Sequence, residues 1–111
     1  MPLPETEVHR VERWCRARIR PEYANELRIE ADLTKTAVTI VELRPPWDDP
    51  EGEWIRFPIA RFRYASSTGL WTLLWRDRNL RFHLYRYTEP TPNLQALLDH
   101  VGTSGDPIFW G

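Results

Sequence analysis

The residues best equipped for chemistry lie in one central stretch: Arg76, Arg81, His83, Tyr85 and Tyr87. Guanidinium groups form forked hydrogen bonds to phosphate or carboxylate oxygens. Imidazole moves protons near neutral pH. Tyrosine rings stack on bases or fill protein interfaces. Together these residues suit a binding surface. With a general base added, they suit phosphate-ester cleavage.

Glu42 is the candidate for that base. It follows Val38 and Ile40 at two-residue spacing, and Arg44 stands two residues further on. On a strand, Glu42 therefore projects among apolar side chains. A carboxylate placed there needs a partner or becomes hard to ionise. Either Glu42 is a general base with His83 or Tyr85 as the acid, or it forms a buried pair with Arg44 that holds the Pro45-Pro46-Trp47 loop. The pair is preferred, because structural ion pairs also perturb carboxylates. No second carboxylate is spaced to make a glycosidase-like pair.

Trp47, on its Pro-rich loop, is a further contact candidate. The Ile108-Phe109-Trp110 tail either packs on its own domain or docks on another chain. Nucleophile signals are weak. Cys15 lies on a helical apolar stripe and reads as a buried small hydrophobe. Ser66, Ser67 and Ser104 sit in turns without an elbow motif. There is no Gly-rich phosphate loop. His9, His83 and His100 are too scattered for a zinc motif. No cofactor and no metal are expected.

Those groups need elements to position them. A helix is predicted from about Pro4 to Arg18, with Glu5 and Glu7 at its positive end and Arg16 and Arg18 at its negative end. Two strands follow, Leu27–Leu33 and Ala37–Arg44. A Thr34-Lys35 turn would pair Ala31 with Val38, Ile29 with Ile40 and Leu27 with Glu42. A third strand spans about Trp54–Tyr64, and Pro58 within it predicts an edge position or a bulge. Strands four and five are about Leu70–Arg76 and Asn79–Tyr87. An Asp77-Arg78 turn would set Trp75 against Leu80, Leu73 against Phe82 and Trp71 against Leu84. Thr72, Leu74, Arg76, Arg81, His83, Tyr85 and Tyr87 would then share the outer face. The last helix is predicted with Thr91 as N-cap, Pro92 in its first turn and Gly102 at its C-terminal end. The fold class is α+β: an N-terminal helix, a five-stranded antiparallel meander and a C-terminal helix, with the helices packed on one sheet face.

The whole chain limits what such a fold can do. It has 111 residues, 41% of them hydrophobic, and a net charge of −1. That suits one domain, 1–111, and argues against disorder. Near-neutral charge disfavours nucleic acid as a partner without closing the question. No apolar run approaches the ~20 residues of a membrane span. The acidic start of the chain lacks a signal-peptide pattern. With one cysteine, a cytoplasmic protein is expected. The charge is uneven, however. Residues 25–53 hold eight acidic and three basic groups, whereas 54–88 hold seven Arg against Asp77 alone. Compensation between these stretches within the fold is the simpler expectation.

Val41-Glu42-Leu43-Arg44-Pro45-Pro46-Trp47, Trp54, Pro58-Ile59-Ala60, the Trp71-to-Trp75 strand and the closing Phe109-Trp110-Gly111 form a recognisable combination. It resembles a family of small uncharacterised bacterial proteins, a domain of unknown function, over nearly the whole chain. The resemblance implies a small bacterial single-domain protein and carries no activity, cofactor or catalytic residue.

The expected function is a non-enzymatic binding or protein-interaction domain using an Arg/Tyr/Trp-rich sheet face. Its partner would be a protein or an acidic ligand. The alternative is a small nucleic-acid-binding protein or toxin-like ribonuclease using His83, Tyr85 and arginines. The chain is read as a monomer or as a homodimer, the latter through a Pro58 edge strand or Trp110.

Overall fold

A computed structural model describes residues 3–49 and 51–110. Pro50 of the acidic loop and Gly111 of the closing motif lie outside the described residues. Helix α1 (Glu5–Arg18) leads through a single 3-10 turn, Pro21–Tyr23, into the sheet. The strands are β1 (Arg28–Leu33), β2 (Ala37–Arg44), β3 (Ile55–Ala65), β4 (Leu70–Arg76) and β5 (Phe82–Leu84). Helices α2 (Leu94–Thr103) and α3 (Pro107–Trp110) close the chain. The strands pair antiparallel in the order β1-β2-β3-β4-β5, the expected meander.

One sheet face carries the core. Ile29, Val38, Ile40, Ala60, Phe62, Trp71 and Leu73 point to it, as strand alternation requires. Val11 and Cys15 of α1, Leu94, Leu98 and Val101 of α2 and Phe109 of α3 pack into the same cluster. The helices therefore lie on one face. The opposite face keeps solvent contact at Glu30, Asp32, Arg63 and Leu84. Strand β2 is nevertheless buried on both sides, because Ala37, Thr39, Val41 and Leu43 are also shielded. Long neighbouring side chains do part of this shielding. Arg61 donates from Nε to the Thr39 hydroxyl at 2.9 Å and lays its guanidinium over Phe82 at 3.9 Å.

The tail packs on its own domain. Phe109 is buried, and the Trp110 indole donates to the Val101 carbonyl at 2.8 Å. Arg18 covers the Trp110 ring at 4.7 Å and the Trp14 ring at 5.1 Å. Helix α2 departs from expectation at both ends. Its cap is Asn93, which accepts from the Ala96 amide, while Thr91 pairs with Trp71 in an isolated bridge. Gly102 lies inside the helix, where a Cβ would meet Trp14 and Arg18 within 3.2 Å. The glycine permits close approach of α1.

Three sheet details bear on the sequence reading: two registers shift, and of the two settings expected for Pro58 the bulge is the one present. The β1–β2 turn is Lys35-Thr36, since the Thr34 hydroxyl accepts from the Ala37 amide and fixes the turn's base. Leu33 therefore pairs with Val38, Ala31 with Ile40 and Ile29 with Glu42. The slip is two residues, so every side chain keeps its face. Pro58 is not on an edge, because β3 is the central strand. It sits beside a bulge: Ile40 pairs with Ala60 but Val41 with Pro58, leaving Ile59 extra. The expected edge for dimerisation is thus already paired on both sides.

The third detail concerns β4 and β5. Their turn has three residues, Arg78-Asn79-Leu80, with the Leu80 amide donating to the Asp77 carbonyl and Leu80 at φ +65°. Trp75 pairs with His83, Leu74 with Leu84 and Arg76 with Phe82. The shift from expectation is odd, so β5 is turned over. His83 and Tyr85 go to the helix side; Phe82 and Leu84 go to the open side.

A leucine in the left-handed region carries a steric cost that glycine escapes. Leu80 is 56% exposed and adds little to the core. Leu80→Gly is expected to raise unfolding stability by about 1 kcal/mol in chemical denaturation. A loss of stability would contradict this account of the turn.

Candidate functional site

The open sheet face is the candidate site. The Arg61-Phe62-Arg63 alternation of β3 puts Phe62 in the core and both arginines outside. Arg56 lies on the same side, and its guanidinium binds the Asp32 carboxylate of β1. Thr72 of β4 and Phe82 and Leu84 of β5 complete the surface, with Leu74 of β4 buried beneath it. Arg76 starts on this face but bends back. Its Nε donates to the Pro58 carbonyl, which the bulge withdraws from the β3–β4 ladder. Arg76 is therefore half-buried and structural as well as cationic.

Compensation with the acidic stretch is slight. Among the described residues, Arg56–Asp32 is the one ion pair joining 54–88 to 25–53. Asp48, Asp49, Glu51 and Glu53 form none there, nor do Arg61, Arg63, Arg78, Arg81 and Arg86. The basic strands thus keep most of their charge unpaired.

His83 and Tyr85 are not part of that face. His83 donates from Nε2 to the Asp77 carboxylate at 2.7 Å and stacks 4.9 Å from Trp75. Asp77 also accepts from the Asn79 and Arg81 amides. The His83 bond, followed by the Arg81 amide, holds its carboxyl down at about 2. Tyr85 is only 3% exposed. Its hydroxyl donates to Asp106 at 2.8 Å and accepts from His100 Nε2 at 2.9 Å. Burial first, then Asp106, pushes this phenol up to about 12. Tyr85 is a pin between β5 and the two C-terminal helices. Arg81 lies exposed at the hairpin end. Tyr87 is 81% exposed and meets the Tyr85 ring edge-on at 5.4 Å. Trp47 is 92% exposed on its loop.

Glu42 does pair with Arg44, at 2.7 Å, with the carboxylate half-buried and the guanidinium exposed. Glu42 and His83 occupy the same sheet face, because the three-residue turn inverts β5. Strands β3 and β4 separate them, which at strand spacing is roughly 14 Å. They open into different clefts. One, of about 740 Å³, includes Glu42, Phe57 and Trp110. The other, of about 470 Å³, includes His83 and Tyr87. Trp75 and Ile108 border both. Each of these two clefts holds one of the two groups and not the other.

Cys15 is buried, and desolvation pushes its thiol up to about 12, far from a reactive thiolate. Among the described residues no three His, Cys, Asp or Glu side chains converge as metal ligands. No helix among them is long and apolar enough to cross a membrane.

Sequence reasoning missed Arg61, Arg63, Phe82 and Leu84. The Arg–Phe–Arg alternation was a usable signal for the first two. The last two depended on the three-residue turn, whose left-handed position holds leucine instead of the usual Gly or Asn.

Fold and site together define a small α+β domain that covers one sheet face with helices and presents the other, rich in arginine, to solvent. The chain belongs to the family described as Domain of unknown function (DUF3024), whose model matches residues 1–111. No curated protein and no solved structure matches it.

The Asp77 carboxyl is expected to titrate near 2 by NMR instead of near the ordinary 3.8. Its contribution to stability is present above 3.8 and disappears as pH falls through about 2. His83→Ala should move the midpoint upward. An unchanged midpoint would show that His83 is not the main cause.

Proposed function

We propose that this protein is a non-enzymatic binding domain whose contact surface is the open, arginine-bearing sheet face, and that its partner is negatively charged. The observation that carries this reading is the placement of Arg61, Arg63, Phe82 and Leu84 together, outside the helix layer and, among the described residues, without acidic partners for the arginines. Arginines of this kind offer forked donors to carboxylates or phosphates. Phe82 and Leu84 add apolar area between them, the mixture found at interface hot spots. The reading assumes a bacterial cytoplasmic setting, which a single free cysteine favours.

The ribonuclease alternative has less support. Arg61 and Arg63 stand on one side of the sheet and His83 and Tyr85 on the other, where Arg86 is the arginine lining the same cleft. One scissile phosphate cannot meet both sets. Tyr85 is also committed to Asp106 and His100.

Retention on a heparin matrix tests the anionic surface. The wild type should bind at low salt and elute as salt rises. Arg61→Gln/Arg63→Glu should weaken retention, with a loss of affinity of about tenfold or more. Equal retention by a variant with unchanged thermal unfolding would reject the face assignment.

A further inference from the structure

We propose that the occupant of the arginine face is the acidic, tryptophan-bearing β2–β3 loop of a second copy of this chain. The inference rests on the binding-face reading above and names its partner.

The loop has the chemistry of a ligand. Pro45-Pro46 restrict the backbone before Trp47, so presenting that ring costs little ordering on binding. Trp47 is 92% exposed, although an aromatic side chain of its class normally buries about 150–250 Å². Asp48, Asp49, Glu51 and Glu53 follow it, and none forms an ion pair among the described residues.

The receiving face has the complementary chemistry. Among the described residues Arg61 and Arg63 have no acidic partner, and Leu84, 57% exposed, lies in the same cross-strand row as Arg61 with Leu74 between them. This chain already stacks arginine on tryptophan three times: Arg18 on Trp14 and on Trp110, and Arg28 on Trp54. Trp71 lies in the core and Trp75 stacks with His83. Trp47 is the tryptophan left without such a cover. Guanidinium stacking on an indole is favourable, and more so when shielded from water.

The loop of one copy is badly placed to serve its own face. It joins β3 at Ile55, whereas Arg61 and Arg63 lie six and eight residues along that strand. At extended-chain rise these are roughly 20 and 26 Å away. Two copies with antiparallel β3 strands would set each loop over the other's arginines. A two-fold axis makes that exchange reciprocal and closed, where a one-way contact would run on into a filament. A nucleic acid fits less well, because the four loop carboxylates and the net charge of −1 oppose a polyphosphate.

Sedimentation velocity across a range of concentrations, at low and high salt, tests the proposal. The wild type should dimerise at low salt and dissociate as salt rises. Trp47→Ala should weaken self-association by about 30-fold, as loss of an interface hot spot does, while heparin retention persists. Asp48→Arg/Asp49→Arg and Arg61→Glu/Arg63→Glu should each be monomeric, and their mixture should restore a dimer. A wild-type monomer that still binds heparin through Arg61 and Arg63 overturns self-docking and leaves the binding face standing. A monomer without heparin binding overturns both. A dimer indifferent to Trp47→Ala and to the charge exchange overturns self-docking. So does a monomer that takes up a single-stranded oligonucleotide on the same arginines, which would make nucleic acid the occupant.

Discussion

The Asp77 carboxylate closes the β4–β5 turn through three hydrogen bonds, to the amides of Asn79 and Arg81 and to the His83 ring. These bonds fit a turn of three residues, with Leu80 held in the left-handed region. An odd turn inverts β5 relative to an even one, and the rest of the C-terminal half follows from that inversion. Tyr85 turns inward, where its hydroxyl meets Asp106 and His100 and its ring meets Phe109 at 5.0 Å. Helix α3 gains its polar anchor there. Phe82 turns outward to lie under Arg61. With a two-residue turn, Tyr85 would face water and the tail would lose that hold.

A second constraint acts on β3. The extra residue at Ile59 keeps Phe57 on the helix side at one end and Ala60 and Phe62 on it at the other. Arginines then fall on the open side along the strand's length. The bulge also frees the Pro58 carbonyl, and Arg76 answers it. A buried carbonyl without a partner is costly, so one arginine of the basic set is spent on the fold. Arg61, bonded to Thr39, does both jobs: it shields β2 and keeps charge at the surface.

Much of the architecture is legible in the sequence. The Arg-Ile-Glu-Ala-Asp-Leu alternation of β1 and the apolar stripe of α1 placed those elements within a residue. The β1–β2 register was read two residues off, a harmless error because side chains alternate with period two. The β4–β5 register was read three residues off, and that error exchanged the two faces. Glu42 pairs with Arg44 and Trp47 is exposed, while Arg76 starts on the expected side but turns its guanidinium back to Pro58. His83 and Tyr85 moved across the sheet. Nothing in their hydrophobicity forbade either side, since β5 alternates Phe and Leu with His and Tyr, all of which tolerate partial burial.

Composition and periodicity were enough for the α+β class, the order of the elements and the separation of acidic from basic stretches, because each depends on local pattern or simple counting. The face on which each β5 residue stands, the distance between Glu42 and His83, and the burial of the Tyr85 hydroxyl required the folded chain. They depend on how many residues one turn contains, and that number is set by the hydrogen bonds of a single aspartate against the strain of a single leucine. A balance that small leaves no periodic trace along the sequence, yet it selects which arginines, aromatics and acids can meet a partner together.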